Sequence, residues 1–507
     1  MGVMRSAAVA CVLFGFIATA AVGAEPVDAG QVPGGPALMA GAAAVDITPP
    51  PGYPLSGYYH ERLATGTKDP LFAKALVLRQ GDTAAAIVVC DLIVIATDLT
   101  VEVRRRVAER TGIPAAHVTL AATHTHTGPD YTAELFAQVT GRPRPASDTP
   151  RPAYVPALVD GIVTAVVRAE AAAEPVTVAS GRALQQTPVS FNRRFLMRDG
   201  SVRTWMNLAN PDVLHAAGPV DPEIGIVRFD AASGPRALLH SFALHLDTVH
   251  GSEYSADFPH FIAAAVAGCL GDGVVSLFGN GCCGNINHVD PAAPEPAGTA
   301  FIGGELGRTL CAALPGLAPV AQPTLQVRRA TVRVPLLDST PAELAAAKTL
   351  LRGIRAGARP PFLDHVDAYR RVVLDGLRHG IDRDEGLIGW GLTQALAGCG
   401  DAMPLDVQVI TLGRDVAVVA FPGEAFVEFG LAIKNASPFA TTLVVELANH
   451  GETIYVPTRT AAVGGGYETV NTTLAPGAGE LIAETAVRLL IDAAGGLPRD
   501  PRPGDAR

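Results

Sequence analysis

Between Ala84 and Ala122 the chain changes character twice. Ala84 to Val94 is an apolar, β-like run, Thr97 to Arg110 has helical spacing and charge, and His117 to Ala122 is a second short apolar run. Strand, helix, strand in that order predicts a βαβ unit, because two parallel strands need a crossover between them. Ligands in such sheets gather beyond the carboxyl ends of the strands. The second strand runs directly into Thr123-His124-Thr125-His126-Thr127-Gly128-Pro129. In extended backbone, residues two apart point to the same side, so His124 and His126 are expected to face one volume. Neutral imidazoles there bind a metal or contact a substrate; the alternative is a pair of hydrogen-bonded loop histidines. A metal would need ligands from elsewhere in the chain.

Three further residues follow the ends of apolar strands in the same way. Strands at Ile224 to Asp230 and Arg236 to Leu244 flank a hairpin signal, and the second ends at His245. A hairpin from Leu405 to Phe421, turning at Gly413-Arg414-Asp415, stops at Pro422-Gly423-Glu424. Thr442 to Leu447 is another strand, followed by Asn449, His450 and Tyr455. Singly these read as a core histidine, a carboxylate at a helix start and a half-buried anchor. Together, imidazoles and a carboxylate make the ligand set of a catalytic zinc.

The remaining pattern fills in an α/β protein. Helices are predicted at Val155 to Ala171, Asp257 to Cys269, Pro341 to Ala356, Leu363 to His379 and Gly479 to Ala494, with strands at Gly41 to Pro49, Val176 to Ala179, Val274 to Phe278 and Pro323 to Leu337. After Phe278 comes the Gly/Asn loop Gly279 to Asn287, rich in backbone N–H groups. No repeat or linker divides the chain, so one large mixed-sheet domain of about residues 41–494 is expected. Its helices pack on the sheets and its metal site lies at the carboxyl ends of strands.

A chain of 507 residues that is 48% hydrophobic and 17% charged has ample material for a large core. Its net charge of −10, without a long basic cluster, argues against a nucleic-acid partner. Residues 1–24 read as a secretory signal, with Arg5 before an apolar Ala7 to Val22 and small residues at Val22-Gly23-Ala24. No later run is long and apolar enough for a transmembrane segment. A secreted or periplasmic protein is therefore expected, with a flexible lead-in at 25–40 and a disordered tail at 495–507. Six cysteines remain after the signal, and their spacing leaves disulfide pairing open. Nothing in the sequence specifies an oligomeric state.

The ordered series Gly41 to Thr48, Thr123-His124-Thr125-His126-Thr127-Gly128-Pro129, Phe191-Asn192-Arg193, His245 with Ser255-Ala256-Asp257, Pro422-Gly423-Glu424 and Tyr455 to Tyr467-Glu468 resembles the neutral, non-lysosomal ceramidase family. These are zinc amidases that split the N-acyl bond of ceramide. The resemblance implies that His124, His245, Glu424 and Tyr455 are zinc ligands and that His126, Arg193 and Tyr467 surround the scissile carbonyl. It implies a lipid or small-molecule N-acyl amide substrate and hydrolysis by zinc-activated water. One departure stands out: where the family has Gly-Asp-Val-Ser-Pro, this chain reads Gly284-Asn285-Ile286-Asn287-His288. An amide is not a hydroxyl nucleophile, so Asn287 leaves the water route open and closes a serine route. The alternatives are a zinc esterase and a binding protein that has lost turnover.

Overall fold

The computed structural model describes residues 36–141, 151–380 and 393–496. The expected signal, most of the lead-in and most of the tail lie outside them. The described residues from Ala37 onward form one compact unit.

A mixed sheet carries the first part of the chain. Its strands are β1 (Met39–Asp46), β2 (Phe72–Gln80), β3 (Thr83–Cys90), β4 (Val118–Ala122), β5 (Glu174–Leu184), β6 (Glu223–Ala231), β7 (Gly234–Phe242) and β8 (Val275–Asn280). In space the order is β8-β7-β6-β5-β1-β2-β3-β4, with the short strand Ala318–Pro319 beside β5. Neighbours are antiparallel except at the two edges, where β3 pairs with β4 and β7 with β8 in parallel. Each parallel pair needs a crossover, and helices supply it: α1 (Thr97–Thr111) for the first and, after α2 (Val155–Ala171), α3 (Phe258–Leu270) for the second. α4 (Thr299–Ala313) packs beside α3 and is joined to it by a Cys269–Cys311 disulfide across 42 residues. Closing a loop of that length contributes about 4 kcal/mol in the chain-entropy account.

A second sheet follows, β9 (Leu325–Pro335), β10 (Ala402–Leu412), β11 (Val416–Ala420) and β12 (Thr441–Val445), in that spatial order. Helices α5 (Pro341–Arg355) and α6 (Phe362–His379) lie between β9 and β10 in sequence, α7 (Val427–Ala436) bridges the parallel β11 and β12, and α8 (Ala478–Ala493) closes the fold.

Strand alternation stacks these elements. On β3, Ala84, Ala86 and Val88 share a core with α1 and α2, whereas Ala85, Ile87 and Val89 share one with Val418 of β11 and Leu443 of β12. The opposite face of the second sheet, with Val407 and Val419, packs on α5, α6 and α8. Both sheets are thus buried on two faces, which is why β3 and β11 read as continuous apolar runs. Each fully buried Val or Leu in the shared layer contributes about 1.5–3 kcal/mol. The sheets approach closely at Gly279, where a Cβ would lie 2.6 Å from a methyl of Val445.

Two expectations need adjusting. The strand before the histidine block starts at Val118, because Ala115–His117 is a 3₁₀ turn. The backbone also does not stay extended through the block: His124 has φ 81°.

Candidate metal and catalytic site

Three strand ends deliver the site. β4 leads to His124 and His126, β7 to His245, and β11 to Glu424. Within the block Thr123-His124-Thr125-His126-Thr127 the threonines are the pins. The hydroxyls of Thr125 and Thr127 both donate to the carbonyl of Ser255, at 2.6 and 3.1 Å, and the Thr123 carbonyl accepts from Asn280 Nδ2 at 3.1 Å. The left-handed turn at His124, rather than strand alternation, brings the two histidines together. Gly57 makes room for the turn, since a Cβ there would lie 2.7 Å from that of His126. On the β7 side, Asp257 accepts the backbone N–H groups of Thr248 and Val249 at 2.9 and 3.1 Å and fixes the loop after His245.

The three imidazoles converge. The Nε2 atoms of His124 and His245 are 3.1 Å apart, those of His126 and His245 3.1 Å, and those of His126 and His124 3.4 Å. Glu424 Oε2 stands 3.3 Å from His124 Nε2 and is a buried oxygen without a hydrogen-bond partner. Ligands about 2.0–2.1 Å from a tetrahedral zinc stand about 3.3 Å from one another, so these separations fit a metal. The tautomer of His124 fits too. Its Nδ1 is 2.7 Å from the carbonyl of Ile93, which only accepts, so the proton sits on Nδ1 and Nε2 keeps its lone pair. Burial pushes His126 down to about 4, although Asp247 pulls the other way, and burial together with Arg193 holds His245 well below the usual histidine value. Burial would raise Glu424, but its cationic surroundings, Arg193 among them, outweigh it and keep the carboxylate ionised. Neutral imidazoles and an anionic oxygen are the forms a metal binds.

His126 therefore stands about as close to the other two imidazoles as they stand to each other, so it could join them in holding a metal. Tyr455 is adjacent: β-bridge pairing places it opposite Glu424, and its hydroxyl accepts from Arg193 Nη2 at 2.9 Å. Burial raises the Tyr455 phenol well above its ordinary value, with Arg193 opposing. Arg193 also donates to the Gly284 carbonyl and, through Nε at 2.8 Å, to Glu468. The Tyr467 ring meets the Tyr455 ring edge-on with centroids 5.4 Å apart, and its hydroxyl accepts from Asn471 Nδ2 at 3.0 Å. Burial pushes Tyr467 up to about 12, so it keeps its proton at neutral pH.

His124, His126, Glu424, Tyr455 and Tyr467 all line one open pocket, about 930 Å³ of space counted out into solvent, whose apolar wall includes Ile93, Val94 and Ile454. Asn287 is not among the lining residues. It pairs in a short bridge with Phe191, and its Oδ1 accepts the Val289 N–H at 3.2 Å.

Residues 38–254 match the family described as neutral/alkaline non-lysosomal ceramidase, N-terminal. That segment is 217 of the chain's 507 residues. It contains His124, His126, Arg193 and His245, whereas Glu424, Tyr455 and Tyr467 lie beyond it. A neutral ceramidase of Mycobacterium tuberculosis is 28% identical over 242 residues, covering 40% of this chain and 34% of the relative. The chain thus spans about a third of the length of that curated relative. The crystal structure of a neutral ceramidase from Pseudomonas aeruginosa superposes with a TM-score of 0.65 at 19% identity, over 91% of this chain and 75% of that one. A ceramidase complexed with C2 gives the same TM-score at 21% identity, over 91% and 76%. These likenesses show that the ceramidase fold extends past the family segment into the part that carries Glu424 and Tyr455.

Several functional neighbours escaped the sequence reading. Glu468, fully buried, accepts from Arg193, from Arg194 at 2.8 Å and from the Thr204 hydroxyl at 2.9 Å. Tyr58 donates to Asp247 at 2.8 Å, and that carboxylate lies 3.7 Å from His126 Nδ1. Glu468 follows no strand end, and Asp247, two residues past His245 in the same loop, was passed over.

Proposed function

We propose that the chain is a zinc-dependent amide hydrolase that cleaves an N-acyl bond, with ceramide or another N-acylated lipid as substrate. The observation that carries this reading is the convergence of three Nε2 atoms and an unpartnered carboxylate oxygen, with His124, His126 and Glu424 in the wall of a largely apolar cavity. His124, His126, His245 and Glu424 would hold the ion, with Tyr455 at its edge. Zinc supplies a Lewis acid and a water acidic enough to ionise near pH 7.

The chain's own residues do the rest. Tyr467 accepts from Asn471 and keeps its own proton, which leaves its O–H free to donate to an oxyanion as charge develops there. Burial works against the charge on Arg193, yet Tyr455 and Glu468 outweigh it and keep the guanidinium protonated. Arg193 in turn holds the Tyr455 hydroxyl in place. Ile93, Val94 and Ile454 give an acyl chain apolar surface and keep bulk water from the carbonyl. Asn287, engaged by the Val289 N–H, shapes the loop behind the site and takes no part in bond making.

An extracytoplasmic location is part of the proposal. It is supported by the composition of residues 1–24 and by the Cys269–Cys311 disulfide. Among the described residues no helix is long and apolar enough to cross a membrane.

Elemental analysis and a panel of N-acyl amides and esters, with and without chelator, test the reading. About one zinc per chain is expected, with hydrolysis lost on chelation. His245→Ala should abolish metal binding, and Tyr467→Phe should spare it and lower kcat about 10²-fold. Equal zinc content in wild type and His245→Ala would refute the assignment, and faster turnover of esters alone would favour an esterase.

A further inference from the structure

Behind the His245 ring, away from the converging Nε2 atoms, sit two buried groups to which the proposed reaction gives no role. His245 Nδ1 lies 3.6 Å from Cys283 Sγ, and that thiol also accepts from Asn280 Nδ2 at 3.4 Å. The backbone N–H of Cys283 donates to Glu446 Oε1 at 3.0 Å. The other oxygen, Glu446 Oε2, accepts the N–H of Ala425 at 2.6 Å. Cys283 and Glu446 are both fully enclosed, at 0% exposure.

The two contacts of Glu446 reach loops that leave different sheets and that also meet directly, through the Gly284 N–H and the Ala425 carbonyl at 2.8 Å. Cys283 belongs to the loop after β8, on the first sheet, and touches His245. Ala425 follows β11 of the second sheet and is the neighbour of Glu424. An imidazole aims one nitrogen correctly only when its other nitrogen is held, and the three rings differ in how that is done. His124 has the Ile93 carbonyl, and His126 Nδ1 has no hydrogen bond closer than the Asp247 contact at 3.7 Å. For His245 the holder is Cys283, whose thiol lies at Nδ1 and whose backbone also bonds the ring.

We infer that Cys283 and Glu446 are positioning residues for the metal group: Cys283 sets the His245 ring through Nδ1, and Glu446 locks the Cys283 loop to the Glu424 loop. One buried carboxyl group thereby keeps ligands from two different sheets in register. This rests on the metal-site reading proposed above. Replacing Glu446 by Gln turns one acceptor oxygen into a donor, so either the Cys283 or the Ala425 N–H must face an N–H₂ group. Replacing Cys283 by Ala takes the thiol from the His245 ring and leaves it only the backbone contact. Outer partners of metal-bound histidine typically govern ten- to a hundredfold in metal affinity.

The test is zinc affinity by competition with a chromophoric chelator, together with the visible spectrum of the Co²⁺-loaded protein, for wild type, Cys283→Ala, Cys283→Ser, Glu446→Gln and the Cys283→Ala/Glu446→Gln double variant. Thermal melting of each metal-free protein is the control for folding. Cys283→Ala and Glu446→Gln are expected to bind zinc ten- to a hundredfold more weakly and to alter the Co²⁺ spectrum, with metal-free melting little changed. Cys283→Ser, which restores a polar atom, should recover most of the affinity. Because both groups act through one chain of contacts, the double variant should bind no more weakly than the product of the two losses, and typically less weakly. If Glu446→Gln fails to fold, Cys283→Ala, which removes only the sulfur, decides alone. Wild-type affinity and spectrum in Cys283→Ala would overturn the inference, as would lowered melting with unchanged zinc binding. A wild-type protein that binds no zinc would overturn the metal-site reading itself, a result read from the wild-type arm before any variant is compared.

Discussion

Glu468→Gln is the substitution that most directly weighs the charge network behind the site. Glu468 is completely buried and faces two guanidinium groups that are each only 3% exposed. Its Oε1 takes Arg193 Nε, and its Oε2 takes Arg194 Nη1 and the Thr204 hydroxyl. Gln has the same shape but keeps one acceptor, so its N–H₂ must oppose a donor, and both arginines lose their buried counter-charge. Removing one partner of a buried ion pair costs about 3–5 kcal/mol, mostly because the charge left behind stays desolvated. Unfolding entropy near 2.1 cal/mol/K per residue amounts to about 1 kcal/mol/K for a chain of this size, so Tm should fall by about 3–5 °C. Function should fall further than stability. Thr204 accepts the Tyr467 N–H at 3.3 Å, so Glu468 steadies both Arg193 and Tyr467. We expect zinc content to survive and kcat to drop about 10–100-fold. The assay is melting of the chelated protein alongside turnover of the zinc-loaded one. A Tm within about 1 °C of wild type, with unchanged kcat, would refute the idea that this carboxylate holds the oxyanion side together.

Two further outcomes follow from single residues. His126 lies near 4 when folded against 6.5 when free, so the unfolded chain takes up a proton that the folded one refuses. Its contribution is complete above about pH 6.5 and is lost as pH falls through about 4, about 3 kcal/mol in all; denaturant unfolding of chelated protein between pH 7 and 4 should show that slope, and His126→Gln should flatten it. An equal slope in both proteins would contradict the burial argument. Asn287→Ser should leave an already active protein active, with substrate preference altered, because Asn287 serves the Val289 N–H rather than the cavity. Hydrolysis appearing only in the Ser variant would overturn the enzyme reading and favour a binding protein.

The sequence was legible where one physical rule acted alone. α1, α2 and α6 follow from helical spacing, α6 with a stop at Gly380, and the hairpin of β6 and β7 follows from its turn. Thr299–Ala313 and Val427–Ala436 are helices that the reading omitted, the first because three glycines interrupt its pattern and the second because it is short. Two of those glycines have a packing reason: a Cβ at Gly307 would lie 2.5 Å from that of Ala265 and one at Gly303 2.5 Å from the Phe258 carbonyl, so α3 and α4 approach too closely for side chains there. The second sheet was read as strands but not as a separate layer. Alternation says which residues share a face, yet only the long-range pairing of β9 with β10 says which sheet they join.

The site shows the same division at finer scale. His124, His245 and Glu424 were visible because each follows a strand, a position fixed by local sequence. The arrangement that joins them is not local. His124, Leu447, Asn449 and Ile454 all have positive φ, with values from 53° to 81°, and they lie in the two loops that face each other across the sheets. Non-glycine residues in that region cost about 1 kcal/mol or more, least for Asn and most for a β-branched Ile. No propensity favours such a cluster, so tertiary bonds must impose it: Asn449 exchanges bonds with the Leu120 backbone at 2.8 and 3.1 Å, and the Leu447 N–H reaches the Gly423 carbonyl at 3.1 Å. The Leu120 contact ties the β12 loop to the strand that carries His124, and the Gly423 contact ties it to the residue before Glu424. A metal group built from two sheets is only as precise as the joint between them, and in this chain the strained residues are the joint.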